Sequence, residues 1–156
     1  MFRTLTSPTS RFPSPVHGLS LRPVGRWLIA TACLLLLAGF GLARSLEPDS
    51  RGYGTHQRLG LPPCTSQVLW NIPCPACGMT TSFAHFVRGQ IPLALRANVT
   101  GTLLATCCAV LAPWCLASAW YGVLWRVRDP SNALMWALLT LLGISLVEWG
   151  LRLSLR

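Results

Sequence analysis

The sequence contains very little charge. Asp, Glu, Lys and Arg make up 11% of its 156 residues, only four residues are acidic, and all thirteen basic residues are arginine. A soluble domain has roughly a quarter charged residues, so this composition excludes an ordinary soluble globule. The arginines lie in the N-terminal tail, the loops and the last residues, as in membrane flanks and unlike a phosphate-binding face. We therefore expect no nucleic-acid partner.

The common catalytic signatures are also missing. There is no internal repeat, no Walker or dinucleotide-binding glycine pattern, no H-E-x-x-H and no G-x-S-x-G. Hydrophobic residues, in contrast, make up 52% of the chain and concentrate in three runs at residues 27–43, 99–125 and 133–151. A helix of about 20 apolar residues spans a bilayer. The sequence predicts an all-α integral membrane protein with three transmembrane helices and the lipid bilayer as its main partner.

The segments around the first run set the predicted organisation. Residues 1–26 are rich in Ser, Pro and Arg and are expected to form a disordered tail, followed by a membrane domain at 27–156. The first run resembles a cleaved signal peptide in its basic flank and small residues at its end, but its length favours a retained anchor.

The charges beside the first run indicate its orientation in the membrane. Arg22 and Arg26 precede it, while Glu47 and Asp49 follow it. This asymmetry favours an orientation with the N-terminus inside and the loop at residues 44–98 outside. The three apolar runs and the all-arginine basic composition indicate a multi-pass protein of a bacterial inner membrane.

Glu148 is the one charge within the third run. An intramembrane carboxylate is a functional candidate by default. Glu148 lies near the helix end, however, and four residues before Arg152. We therefore favour an i,i+4 ion pair between these two side chains.

The polar loop contains three of the seven cysteines: Cys64, Cys74 and Cys77. The other four lie in hydrophobic runs, where cysteine usually packs as a small apolar side chain. After Gly78 the sequence predicts a short interfacial helix over residues 80–88, with Thr80 as its N-cap and Gly89 as its terminator.

Three kinds of chemistry fit these cysteines. Cys64, Cys74, Cys77 and His85 supply the number and type of ligands that tetrahedral zinc prefers, although C-x9-C-x2-C-x7-H is not a standard finger spacing. Cys74 and Cys77 fit a catalytic thiol–disulfide pair, but without the βαβ context of thioredoxin. The motif also fits a rigid structural turn. We expect a structural or interaction role, with a membrane-protein partner as one option, and keep the oxidoreductase and zinc site as alternatives.

The motif resembles a known family. Cys64, the segment Cys74-Pro75-x-Cys77-Gly78-x-Thr80, Gly89, and Asn98 before an apolar helix are similar to small bacterial membrane proteins grouped as domain of unknown function 2752. That family usually has arginine after the threonine, where this chain has Thr81. The resemblance implies a membrane protein in which the cysteine motif matters, and it implies no particular reaction.

Overall fold

The computed structural model describes residues 18–125, 127 and 129–155. This part of the chain forms six α-helices, one 3₁₀ helix and two three-residue strands. Three of the helices are long and apolar enough to cross a membrane, which confirms the predicted all-α architecture with three spans. The elements in chain order are β1 (Gly18–Ser20), α1 (Pro23–Ser45), the 3₁₀ helix (Thr55–Leu59), α2 (Thr65–Trp70), α3 (Met79–Phe86), α4 (Ile91–Ala97), α5 (Val99–Tyr121), β2 (Val123–Trp125) and α6 (Pro130–Ser154).

The spanning helices differ from their predicted bounds at the ends. α1 begins at Pro23, four residues before the predicted start at residue 27, because proline suits the first turn, where its missing N–H has no partner to lose. Within the predicted tail, residues 18–20 pair antiparallel with β2, and residues 1–17 lie outside the described residues. α5 ends at Tyr121 and not at residue 125, because Gly122 adopts a left-handed conformation with φ 69°. α6 runs three residues beyond each predicted end.

α1 packs along α5, and polar contacts tie the two helices together. At one end the Arg26 guanidinium donates to the carbonyls of Ala119 (3.1 Å) and Trp120 (3.0 Å), near the electronegative end of α5. In the middle, the Cys33 thiol contacts the Ala112 carbonyl at 3.5 Å. The C-terminal end of α5, which Arg26 contacts, also adjoins the strand pair. No residue of α6 is buried within the described chain, so its apolar side chains are left to contact lipid.

The loop between α1 and α5 folds at the opposite end. The Arg88 guanidinium donates to the last carbonyls of α1, at Ala43 (3.2 Å) and Arg44 (2.9 Å), and so fixes α3 to α1. α3 begins at Met79 with Gly78 as its N-cap, so the predicted cap at Thr80 is wrong by two positions. α4 stops at Ala97, and α5 starts anew with the Asn98 side chain accepting a hydrogen bond from the Gly101 amide at 2.6 Å. Trp149 of α6 donates to the Pro73 carbonyl, so the C-terminal end of α6 lies beside the cysteine loop.

Candidate metal centre

The three loop cysteines converge although they come from separate segments. The Sγ atoms of Cys64, Cys74 and Cys77 all lie within 4.8 Å of one another. Cys74 Sγ is 3.1 Å from Cys77 Sγ, and both are free thiols. In a tetrahedral zinc–thiolate site each sulfur is about 2.3 Å from the ion, which places neighbouring sulfurs about 3.8 Å apart, a spacing that lies between the 3.1 Å and 4.8 Å seen here. The three sulfurs are close enough to hold a metal ion.

A tight turn brings Cys74 and Cys77 together. The Cys77 amide donates to the Cys74 carbonyl at 3.0 Å, and the Met79 amide donates to the Ala76 carbonyl at 3.1 Å. Gly78 then takes a left-handed conformation, with φ 87°, and starts α3. A side chain at this position would overlap the carbonyl oxygens of Ala97 and Gly52. The glycine that follows the second motif cysteine is thus required both by its φ angle and by the close approach of the backbone.

The cysteines differ in their readiness to ionise. The Ser66 hydroxyl, 3.1 Å from Cys64 Sγ, lowers the pKa of the Cys64 thiol to about 6. Burial, followed by the hydrogen bond with Cys74, raises the pKa of the Cys77 thiol to about 12. Because metals bind the thiolate, Cys64 is the first of these two residues able to serve as a ligand.

Side chains from distant parts of the chain hold the backbone of the cysteine turn. The fully buried Asn98 donates through Nδ2 to the Cys77 carbonyl at 3.1 Å and to the Pro75 carbonyl at 3.3 Å. From α6, Trp149 Nε1 donates to the Pro73 carbonyl at 2.7 Å. The cap of α5 and the end of α6 therefore position the two motif cysteines.

Glu148 has a larger structural role than an ion pair. Its predicted salt bridge with Arg152 is present. Its carboxylate also accepts from the Val99 amide (2.9 Å), the Thr100 amide (3.0 Å) and the Thr100 hydroxyl (3.0 Å). Arg152 in turn donates to the Ala97 carbonyl at 2.8 Å. Glu148 thus caps the N-terminus of α5 from another helix, where a negative charge is stabilised by the helix dipole.

The structure does not bring His85 to the three sulfurs. His85 lies on α3, and its Nδ1 is 2.7 Å from the Gln90 side-chain oxygen. A different histidine, His56 on the 3₁₀ helix, lines a cavity of about 260 Å³ together with Cys64, Cys74 and Cys77. Sequence reasoning did not select His56, because two prolines and a glycine separate it from Cys64, and the spacing carries no ligand signal.

The segment that contains the cluster matches one known family. Residues 64–112 match Protein of unknown function (DUF2752). The resemblance predicted from the C-P-x-C-G-x-T motif is confirmed over these residues. They include the three cysteines, Gly78 and Asn98, whereas His56 and the end of α6 lie outside them. No curated protein and no solved structure gives a significant match to the chain.

Thr81 occupies the position where that family usually has arginine. Its side chain is fully buried, and its hydroxyl is 2.8 Å from that of Thr55. In this chain the position therefore joins α3 to the 3₁₀ helix.

Proposed function

We propose that this chain is a small multi-pass protein of the bacterial inner membrane that binds a zinc ion through Cys64, Cys74 and Cys77. The ion would have a structural role, joining the start of α2 to the turn before α3. The observation that carries this proposal is the convergence of three free thiols within 4.8 Å. Three sulfur donors fit zinc, which is bound by N and S ligands, better than Mg²⁺ or Ca²⁺, which require oxygen ligands.

The surroundings of the cluster support a structural ion. Cys77 is buried, and the carbonyls on either side of the turn are bonded to Asn98 and Trp149. A site whose ligands are held in this way needs little rearrangement to accept an ion, so less of the binding free energy is spent on ordering the loop. Three helices long and apolar enough to cross a membrane support a position of the loop at a membrane surface.

The competing function is a thiol–disulfide oxidoreductase that uses Cys74 and Cys77. The observation in its favour is the 3.1 Å separation of their sulfur atoms, which leaves a disulfide within easy reach. Oxidation would form one S–S bond and transfer two electrons and two protons to an acceptor disulfide. It would also remove two of the three proposed zinc ligands, so the two functions exclude each other in a single molecule.

One set of measurements separates these functions. We expect full-length protein, purified in detergent without chelator, to contain close to one zinc per chain. Cys74→Ser and Cys77→Ser should lose the zinc, whereas Cys107→Ser, which alters an exposed thiol of α5, should retain it. Less than a tenth of an equivalent of zinc, with thiols shown to be reduced by alkylation and mass measurement, would disprove the zinc proposal. A Cys74–Cys77 disulfide with a potential between about −120 and −270 mV would instead support the oxidoreductase.

A further inference from the structure

We propose that His56 supplies the fourth ligand of the metal centre through its Nδ1 atom. This inference rests on the proposed function, and it replaces His85 in the ligand set expected from the sequence. It closes the coordination of the ion with three sulfurs and one nitrogen, a combination typical of structural zinc sites.

The first argument is position. His56, Cys64, Cys74 and Cys77 line one cavity of about 260 Å³. His85 does not line it, and its ring is bonded to Gln90. Among the described residues, His56 is therefore the imidazole that shares an open space with the sulfurs.

The second argument is the state of the ring. His56 Nε2 is 3.2 Å from the Pro62 carbonyl oxygen. Because a carbonyl only accepts, Nε2 donates in this contact, and the neutral tautomer that makes this bond has a lone pair on Nδ1. Histidine ligands of metals commonly donate their other ring N–H to a backbone carbonyl in this way, and such a contact selects the tautomer whose second nitrogen can coordinate.

The third argument is the anchoring of the segment that carries the ring. Thr55, the residue before His56, is fully buried. Its hydroxyl bonds to the Thr81 hydroxyl at 2.8 Å and accepts from the Asp49 amide at 3.0 Å. These bonds fix the 3₁₀ helix to α3, which begins two residues after Cys77.

The ligand set still requires a small adjustment. Among the described residues the close group of ligand atoms comprises the three sulfurs, so the imidazole of His56 has to turn further into the cavity when the ion binds. The half-buried ring has room to do so, because the cavity lies between it and the cysteines. Side-chain rotation of this kind requires no change in the anchored backbone.

The test uses full-length protein in detergent, freed of metal and titrated with Co²⁺, whose visible d–d bands report the ligand set. We expect His56→Ala to weaken Co²⁺ binding by at least about tenfold, the lower range seen when even outer partners of metal ligands are lost, and to shift the d–d bands. His85→Ala is the matched control and should leave the affinity and the spectrum unchanged. His56→Cys should restore binding and strengthen the sulfur-to-cobalt charge-transfer band.

The outcomes distinguish the two proposals. Wild-type protein that binds no Co²⁺ or Zn²⁺ with reduced thiols would overturn the metal centre itself. If wild-type protein and His56→Ala bind Co²⁺ with the same affinity and the same spectrum, the metal centre stands and His56 is refuted as a ligand. A circular-dichroism melt of each metal-free variant should match that of the wild type. If His56→Ala fails that check, the charge-transfer spectrum of His56→Cys decides, because an unchanged spectrum refutes the ligand role.

Discussion

Gly78 and Gly89 form a natural pair for measuring how closely the cysteine turn is packed. Both have left-handed backbones, with φ 87° and 73°. A Cβ atom at Gly78 would overlap the carbonyl oxygens of Ala97 and Gly52, whereas a Cβ atom at Gly89 would meet nothing within 4 Å. Replacing each glycine by alanine therefore separates backbone strain from loss of space.

The expected magnitudes follow from these two terms. Left-handed backbone costs a non-glycine residue roughly 1–2 kcal/mol, and this cost applies to both variants. Forcing an extra methyl group into a filled space adds about 1–3 kcal/mol, and this cost applies only to Gly78→Ala. Both neighbours of the new methyl group are backbone oxygens, which cannot rotate away. Gly78→Ala should therefore lower the free energy of unfolding by about 1–3 kcal/mol more than Gly89→Ala does.

The free energy of unfolding can be measured in mixed micelles by titration with denaturing detergent, followed by tryptophan fluorescence and circular dichroism. The metal-free protein is the appropriate sample, because bound metal would add its own stabilisation. Equal losses for the two variants would show that the backbone around Gly78 is not closely packed, and the reasoning from the described geometry would fail.

Two further predictions concern orientation and the thiols. A reporter that is active only outside the cytoplasm should be active when fused after Arg58 and silent when fused after Arg128; the reverse pattern would place the cysteine loop inside. In metal-free protein, alkylation of Cys64 should rise as the pH increases through about 6, whereas Cys77, with a pKa of about 12, should stay unmodified at neutral pH. Peptide mass measurement over a pH series would show this order, and equal rates for the two thiols near pH 7 would contradict it.

The sequence was sufficient for the spanning helices because their signal is local and strong. Long apolar runs must form helices in lipid, where each backbone polar group needs a partner. The ends of the helices depend on weaker terms. The start of α1 at Pro23 and the end of α5 at Gly122 follow local rules for helix ends, whereas the pairing of β1 with β2 joins segments about a hundred residues apart.

The candidate site was predictable only in part. Cys74 and Cys77 are joined by a local turn, so their spacing indicated their proximity. The nearness of Cys64 was a hypothesis from residue type, and the geometry brings it to the other two. The position of His56 depends on the contact between Thr55 and Thr81, and no sequence period encodes such a contact. His85 was chosen because its residue type completed a set of four zinc ligands, whereas in the structure its ring contacts Gln90.

The hydrogen bonds that hold the cysteine turn are directed mainly at backbone carbonyls. Asn98 and Trp149 donate to the carbonyls of Pro75, Cys77 and Pro73. Every residue offers such a carbonyl, so these contacts specify the path of the turn without specifying its side chains. Because Trp149 lies on α6, movement of that helix in the bilayer would shift the turn directly. The geometry of the thiols and the packing of the third spanning helix are therefore coupled, although only the thiols lie within the segment that matches the family.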